Sequence, residues 1–174
     1  MDIRLIVNGK EVSLSEEQIK LLGLEPEKKK TGYERVGKGH IYYRLSGEMG
    51  VGNFADMHEK SGLAQAFYDV GNYFSDFVLA ANVARATELI WRLQRFAAEN
   101  GGIPTCEDWK NDSVCKYCIA CRNTEEISIL EAYSIREFGQ VYFLDRDACR
   151  TALARFYREL NWYFTTYEPM LKSE

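Results

Sequence analysis

From Leu79 to Ala97 apolar residues return at alternating steps of four and three: Leu79, Val83, Ala86, Ile90, Leu93 and Ala97. Only a helix of about six turns gathers them into one stripe. Arg85, Glu88, Arg92, Arg95 and Glu99 take the opposite side, and Glu88 precedes Arg92 by four residues, the favourable order for an ion pair. Ser75-Asp76 supplies a cap before the stripe, and Gly101-Gly102-Ile103-Pro104 stops it. A second stripe, Cys149, Ala152, Phe156, Leu160 and Tyr163, follows Asp145 and Asp147, whose charge suits a helix N-terminus, and it ends before Pro169. Two long helices with one apolar face each need a partner layer.

Strand signals supply that layer. Residues 2–7 (DIRLIV), then Asn8-Gly9, then Lys10–Val12 read as a hairpin with a type I′ turn. Ser13 followed by Glu16 reads as a capping box for a short helix ending near Gly23. Pro26 and the charged run after it form a connector, with a boundary at about residues 25–32. Tyr33–Val36 and Ile41–Leu45 read as a second hairpin around Gly37-Lys38-Gly39, and residues 46–62 as irregular. Cys115–Cys121, Ile127–Tyr133 and Gln140–Phe143 read as an antiparallel meander. The expected fold is α+β: an N-terminal β-β-α unit at 1–24, then a main domain at 33–174 of short antiparallel sheets packed by the two helices. Within it 33–100 and 106–168 echo each other, since Gly71-x-Tyr73-Phe74 and Gly139-x-x-Tyr142-Phe143 each precede a helix. Internal duplication explains this, and so does the plain need for aromatics where a helix meets a sheet.

Composition narrows the function. The 174 residues are 46% hydrophobic and 28% charged, a globular rather than a disordered profile. With 22 basic and 26 acidic side chains the net charge is -4, so direct nucleic-acid binding through phosphate neutralisation is not expected. No run reaches the length of a membrane span, and the opening residues lack the pattern of a secretory signal, so a cytoplasmic location is expected. An odd count of five cysteines fits a reducing compartment.

The chemical motifs each have a plain structural reading. Cys106, Cys115, Cys118 and Cys121 could count to four zinc ligands, but strand alternation sends Cys115 and Cys118 to opposite faces, and buried cysteine packs as a small hydrophobe. No metal and no cofactor is expected. His40 and His58 lie in glycine-rich polar segments without a nucleophile context. Asp145-x-Asp147 could chelate magnesium, yet acidic residues at a helix start need no metal. Gly47-x-x-Gly50-x-Gly52 runs in the wrong order for a dinucleotide fingerprint. No convergent catalytic set emerges, and an enzyme is not expected.

At Tyr73-Phe74, at Leu93-Gln94-Arg95-Phe96-Ala97, at Asp108-Trp109-Lys110, at Phe138–Phe143 and at Glu159–Phe164 the chain resembles small accessory proteins of phages and mobile elements of Gram-positive bacteria. These packing motifs span about residues 66–168. Some type II anti-CRISPR proteins are similar in size and layout. The resemblance implies a noncatalytic anti-defence protein that binds and inhibits a host defence component, with the type II CRISPR effector nuclease as leading target. Acidic and aromatic side chains suit a basic protein surface. The candidate contacts are Glu16, Glu17, Glu125, Glu126, Glu131, Trp109, Trp162 and Tyr167, against which stand a solvated face for the acids and a core role for the aromatics. Two other classes stay open: a protein that sequesters a nucleotide signal in a pocket lined by residues such as Arg85 and Arg92, and a single-stranded nucleic-acid binder using tyrosine stacking.

Overall fold

The computed structural model describes residues 4–7, 10–23, 30–47, 50–58, 62–122, 126–168 and 170. The chain is α+β and divides into two units, residues 1–31 and 32–174. In the first, β1 (Arg4–Val7) pairs antiparallel with β2 (Lys10–Ser13), Val7 opposite Lys10. The expected turn residues Asn8 and Gly9 lie outside the described residues, as do 24–29 of the connector. Helix α1 (Glu16–Leu21) is capped by Ser15, not by Ser13. The Ser15 hydroxyl accepts from the Gln18 N–H at 3.3 Å and the Gln18 side chain accepts from the Ser15 N–H at 2.9 Å. Ser13 is the last strand residue and pairs with Arg4, so the box starts two residues later than the pattern suggests.

The second unit opens with a hairpin whose strands are β3 (Ile41–Leu45) and β4 (Val51–Ala55), Tyr43 opposite Asn53. The expected strand at 33–36 does not form. Its place beside β3 is taken on one side by β4 and on the other by Phe74, which exchanges two backbone hydrogen bonds with Tyr43, at 2.8 and 2.9 Å. The stretch read as irregular therefore contains β4 and most of the approach to α2 (Leu63–Asp69). Its glycines hid a strand whose side chains are only half covered.

Helix α3 (Phe77–Glu99) matches the expected long helix. The Asp76 carboxylate caps it by accepting from the Leu79 N–H at 2.7 Å. Its buried face is wider than the stripe: Ala80, Ala84, Leu89 and Phe96 are also buried, whereas Val83 and Ile90 are half-buried. Thr105 caps the short α4 (Cys106–Lys110).

A three-stranded antiparallel sheet follows, from β5 (Lys116–Arg122), β6 (Glu126–Ala132) and β7 (Tyr142–Phe143). All three strands were legible, but their order is β6-β5-β7, not that of a meander. The two-residue β7 crosses to the far edge of β5, setting Phe143 opposite Tyr117 in the helix-side core and Tyr142 opposite Cys118 on the other face, against Trp109; both side chains are buried. The second long helix is broken. It runs as α5 (Arg146–Arg155) and α6 (Tyr157–Trp162), then a π-helical turn at Tyr163–Tyr167.

The main core lies where one face of this sheet meets α3, α5 and α6. Leu89, Leu93, Phe96, Ile119, Phe143, Cys149, Ala152, Phe156 and Leu160 close it. A smaller cluster of Phe74, Leu79 and Ala80 sits under the first hairpin. At about 25 cal/mol per Å² of buried apolar surface, the larger cluster, with more buried side chains, contributes more than the smaller one.

Candidate functional site

Three places in the second unit combine polar and aromatic side chains. The first is centred on Asp56, which is fully buried at the end of β4. Arg35 grips it with two hydrogen bonds, Nε to Oδ2 at 2.8 Å and Nη2 to Oδ1 at 3.0 Å, and its remaining Nη1 donates to Gln65. The Tyr73 hydroxyl donates to Oδ2 at 2.8 Å while accepting from the Val36 N–H, and the His58 N–H donates to Oδ1 at 2.7 Å. The Arg35 guanidinium holds the Asp56 carboxyl well below the ordinary carboxylate range, overriding burial, which pulls the other way. Burial, with Asp56 beside it, pushes the Tyr73 hydroxyl up to about 12. Every lone pair of Asp56 facing these donors is used, so the group ties loops together and has no spare acceptor for proton transfer. The His58 ring is engaged likewise, its Nε2 lying 2.5 Å from the Val36 carbonyl.

The second place is the solvent side of the three-stranded sheet. Lys116 is fully buried, and its ammonium donates to the carbonyls of Tyr133 at 2.7 Å and Asn111 at 3.3 Å with the Trp109 ring 4.9 Å away. Trp109 is half-buried and stands edge-on to Tyr142 at 4.9 Å. From β6 the chain crosses to β7 through residues 133–141, and this crossing presents Tyr133, Ile135 and Phe138 to solvent, 47%, 75% and 109% exposed. Its ends are fastened. The Glu137 N–H donates to the Tyr142 hydroxyl at 2.9 Å, the Gln140 side chain donates to the Ile119 carbonyl at 2.9 Å, and Gly139 turns with φ 79°.

Cavities adjoin this crossing on both sides. One, of about 240 Å³, lies between Phe138, Val141, Leu93 and Phe164. Another, of about 380 Å³, is floored by Cys118, Ala120, Leu130 and Ala132, the sheet face that points away from the helices, and is bounded by Tyr133, Ile135 and Glu137. Exposed large apolar side chains beside concave ground are uncommon on a monomer's surface and single this region out as a candidate interaction site. Glu131 is exposed at the crossing end of β6, with Glu137 beside it, and Glu126 is exposed at the far end opposite Arg122; Glu125 lies outside the described residues.

The third place joins α3 to α6. The Arg85 guanidinium lies over the half-buried Trp162 ring, its Cζ 3.8 Å from the centroid. Tyr167 stacks on the same ring at 5.6 Å but is only 9% exposed, and burial pushes its hydroxyl up to about 12. Of the aromatic contacts expected from sequence, Tyr167 is thus buried and the two tryptophans offer only edges. In the first unit Glu17 is exposed; nothing is described of the Glu16 side chain.

Among the described residues no three of His, Cys, Asp or Glu come together as metal ligands would. Cys118 faces the outer side of the sheet, Cys121 has the opposite parity, and Cys106 is exposed on α4. Burial raises the Cys118 thiol to about 11 and that of Cys149 to about 12, which disfavours a thiolate at either. Asp145 serves as the cap of α5, accepting from the Asp147 and Ala148 N–H groups, and Asp147 pairs with Arg150 at 2.7 Å. No described helix is long and apolar enough to cross a membrane.

Ile135 and Phe138 were missed by sequence reasoning, although two large apolar residues inside a polar turn between strands are a signal of surface function. The Asp56 network had no local signal, because Arg35, Asp56 and Tyr73 meet only in space. Comparison of the chain with protein-family models, with curated proteins and with solved structures gives no match.

Proposed function

We propose that the protein is a noncatalytic binding protein that docks on a partner protein through the Tyr133–Gln140 crossing and the outer face of the three-stranded sheet. The observation that carries this reading is Phe138, wholly exposed yet held by a fastened loop, with Ile135 and Tyr133 beside it. Apolar anchors that are already ordered lose little entropy on association, which is how a few residues come to dominate an interface. The groups that could have served chemistry are engaged elsewhere: Asp56 in its ion pair, the His58 ring with a carbonyl, and Cys118 and Cys149 with raised thiols.

The partner we infer is a host defence component, with the protein acting for a phage or mobile element. The effector nuclease of a type II CRISPR system leads, on the resemblance of the packing motifs and on the acidic pair Glu131 and Glu137 beside the crossing, which suits a surface built to hold nucleic acid. Size-exclusion of the purified chain with that nuclease tests the partner. Co-elution that Phe138→Ser abolishes supports the reading, and separate elution at micromolar concentrations counts against this partner.

A further inference from the structure

Helix α3 places Arg85, Glu88, Leu89 and Arg92 on one side, at spacings of three, four and seven residues, and α6 brings Arg158 and Glu159 against them. These six residues line one cavity of about 360 Å³. Its floor is Leu89, buried at 3% exposure, and its rim carries three guanidinium groups against two carboxylates. In a chain of net charge -4 this is a local excess of positive charge.

The three arginines are not equally engaged. Arg92 lies 3.4 Å from Glu159 and 3.7 Å from Glu88, both long for charge-assisted hydrogen bonds. Among the described residues neither Arg85 nor Arg158 has a carboxylate within ion-pair distance. Arg85 instead lies on the Trp162 ring at 3.8 Å. Contact with an aromatic face engages a guanidinium without using its N–H donors, which stay available for bidentate binding of a phosphate. Exposed pairs of the Arg92 kind contribute little, about 0–1 kcal/mol, so an incoming anion can displace them.

We propose that this cavity is a binding site for a small ligand carrying a diphosphate group, which Arg85 and Arg158 clamp from two helices while Arg92 turns to it from Glu159. Three arginines around one open cavity suit one compact anion. They do not form the extended basic track that a nucleic-acid strand requires. The site lies on α3 and α6, and the proposal does not depend on the docking reading above.

The test is calorimetric titration of the full chain with inorganic pyrophosphate and with ADP, followed in parallel by tryptophan fluorescence. Saturable binding at one equivalent is expected, weakened about tenfold or more in Arg158→Ala, the order expected for loss of one charge-assisted hydrogen bond. Arg158 is exposed, so its removal leaves the fold intact. Arg85→Lys keeps the charge but not the planar fork, and it too should weaken binding while preserving the melting temperature. Phe138→Ser should leave pyrophosphate binding unchanged, which separates this site from the docking face. Absence of saturation at millimolar pyrophosphate and ADP, equal affinity in the wild type and Arg158→Ala, or tighter binding of a single-stranded oligonucleotide than of pyrophosphate would each overturn the proposal.

Discussion

Residues 41–99 and 116–155 run through the same order of parts. Each has an antiparallel hairpin, then a Tyr-Phe pair hydrogen-bonded to the hairpin's first strand, then an aspartate cap two residues on, then a helix. They differ in what joins hairpin to aromatic pair. In the first, the link turns inward: Asp56 binds Arg35 and Tyr73, and Tyr68 of α2 stands edge-on to Tyr73 at 5.3 Å. In the second, the link turns outward in its middle: the Tyr133 carbonyl, the Glu137 N–H and the Gln140 side chain fasten it to Lys116, Tyr142 and Ile119, while Ile135 and Phe138 face water. One frame thus serves two ends. An ion pair closes the first link on its own unit, and the second link is left with apolar side chains that its own unit does not cover.

The comparison breaks most readily at the equivalent aromatics. Phe143→Ala should cost about 3–5 kcal/mol, the usual range for a buried phenylalanine. Phe74→Ala should fall toward about 3 kcal/mol, because Phe74 belongs to the smaller cluster. Denaturant melts of both variants measure the difference, and equal costs would mean that the two clusters act as one core.

Asp56→Asn should cost about 2–3 kcal/mol, below the figure for a fully buried pair because the Arg35 side chain keeps 24% exposure. Its pH dependence has a definite sign. The folded carboxyl is held below its ordinary value, so its stabilisation is complete above the unfolded pKa of about 4 and is lost as pH falls through the folded one. Melts of the wild type from neutral pH into acid should show a decline that Asp56→Asn lacks in part. An identical decline in both would remove Asp56 from the account.

Lys116→Met tests the other polar centre. It leaves the carbonyls of Asn111 and Tyr133 without their donor, and a loss of about 1–2 kcal/mol is expected. A more stable variant would show that burying the ammonium costs more than its hydrogen bonds and the Trp109 face return. Smallest of all in stability is Phe138→Ser, which should stay within about 0.5 kcal/mol of the wild type. A larger loss would show that Phe138 packs on its own unit.

Much of this frame was written in periodicity and punctuation. The α3 stripe, its Asp76 cap and Gly-Gly stop, the strand segments of the three-stranded sheet and the Asp145 cap could all be read locally. What escaped depended on contacts distant in sequence. Strand β4 hides in a glycine-containing stretch because its pairing with β3, not its own propensity, makes it a strand. The edge position of β7 follows from Phe143 seeking the helix-covered face of β5. The break between α5 and α6 follows no glycine or proline, so nothing local announces it. Of the expected contact residues, Glu131 stands exposed beside the apolar crossing and Glu126 at the far end of β6, whereas Tyr167 is buried because Trp162 and Tyr163 pack on it.

The most direct test compares binding of the wild type and of the Ile135→Ser/Phe138→Ser double variant to the purified type II effector nuclease, with melting temperatures measured on the same samples. The account predicts a complex with the wild type, its loss in the double variant, and melting temperatures within about 2 °C of each other. Equal binding by both chains, or a double variant that melts far below the wild type, would contradict a docking role for this face.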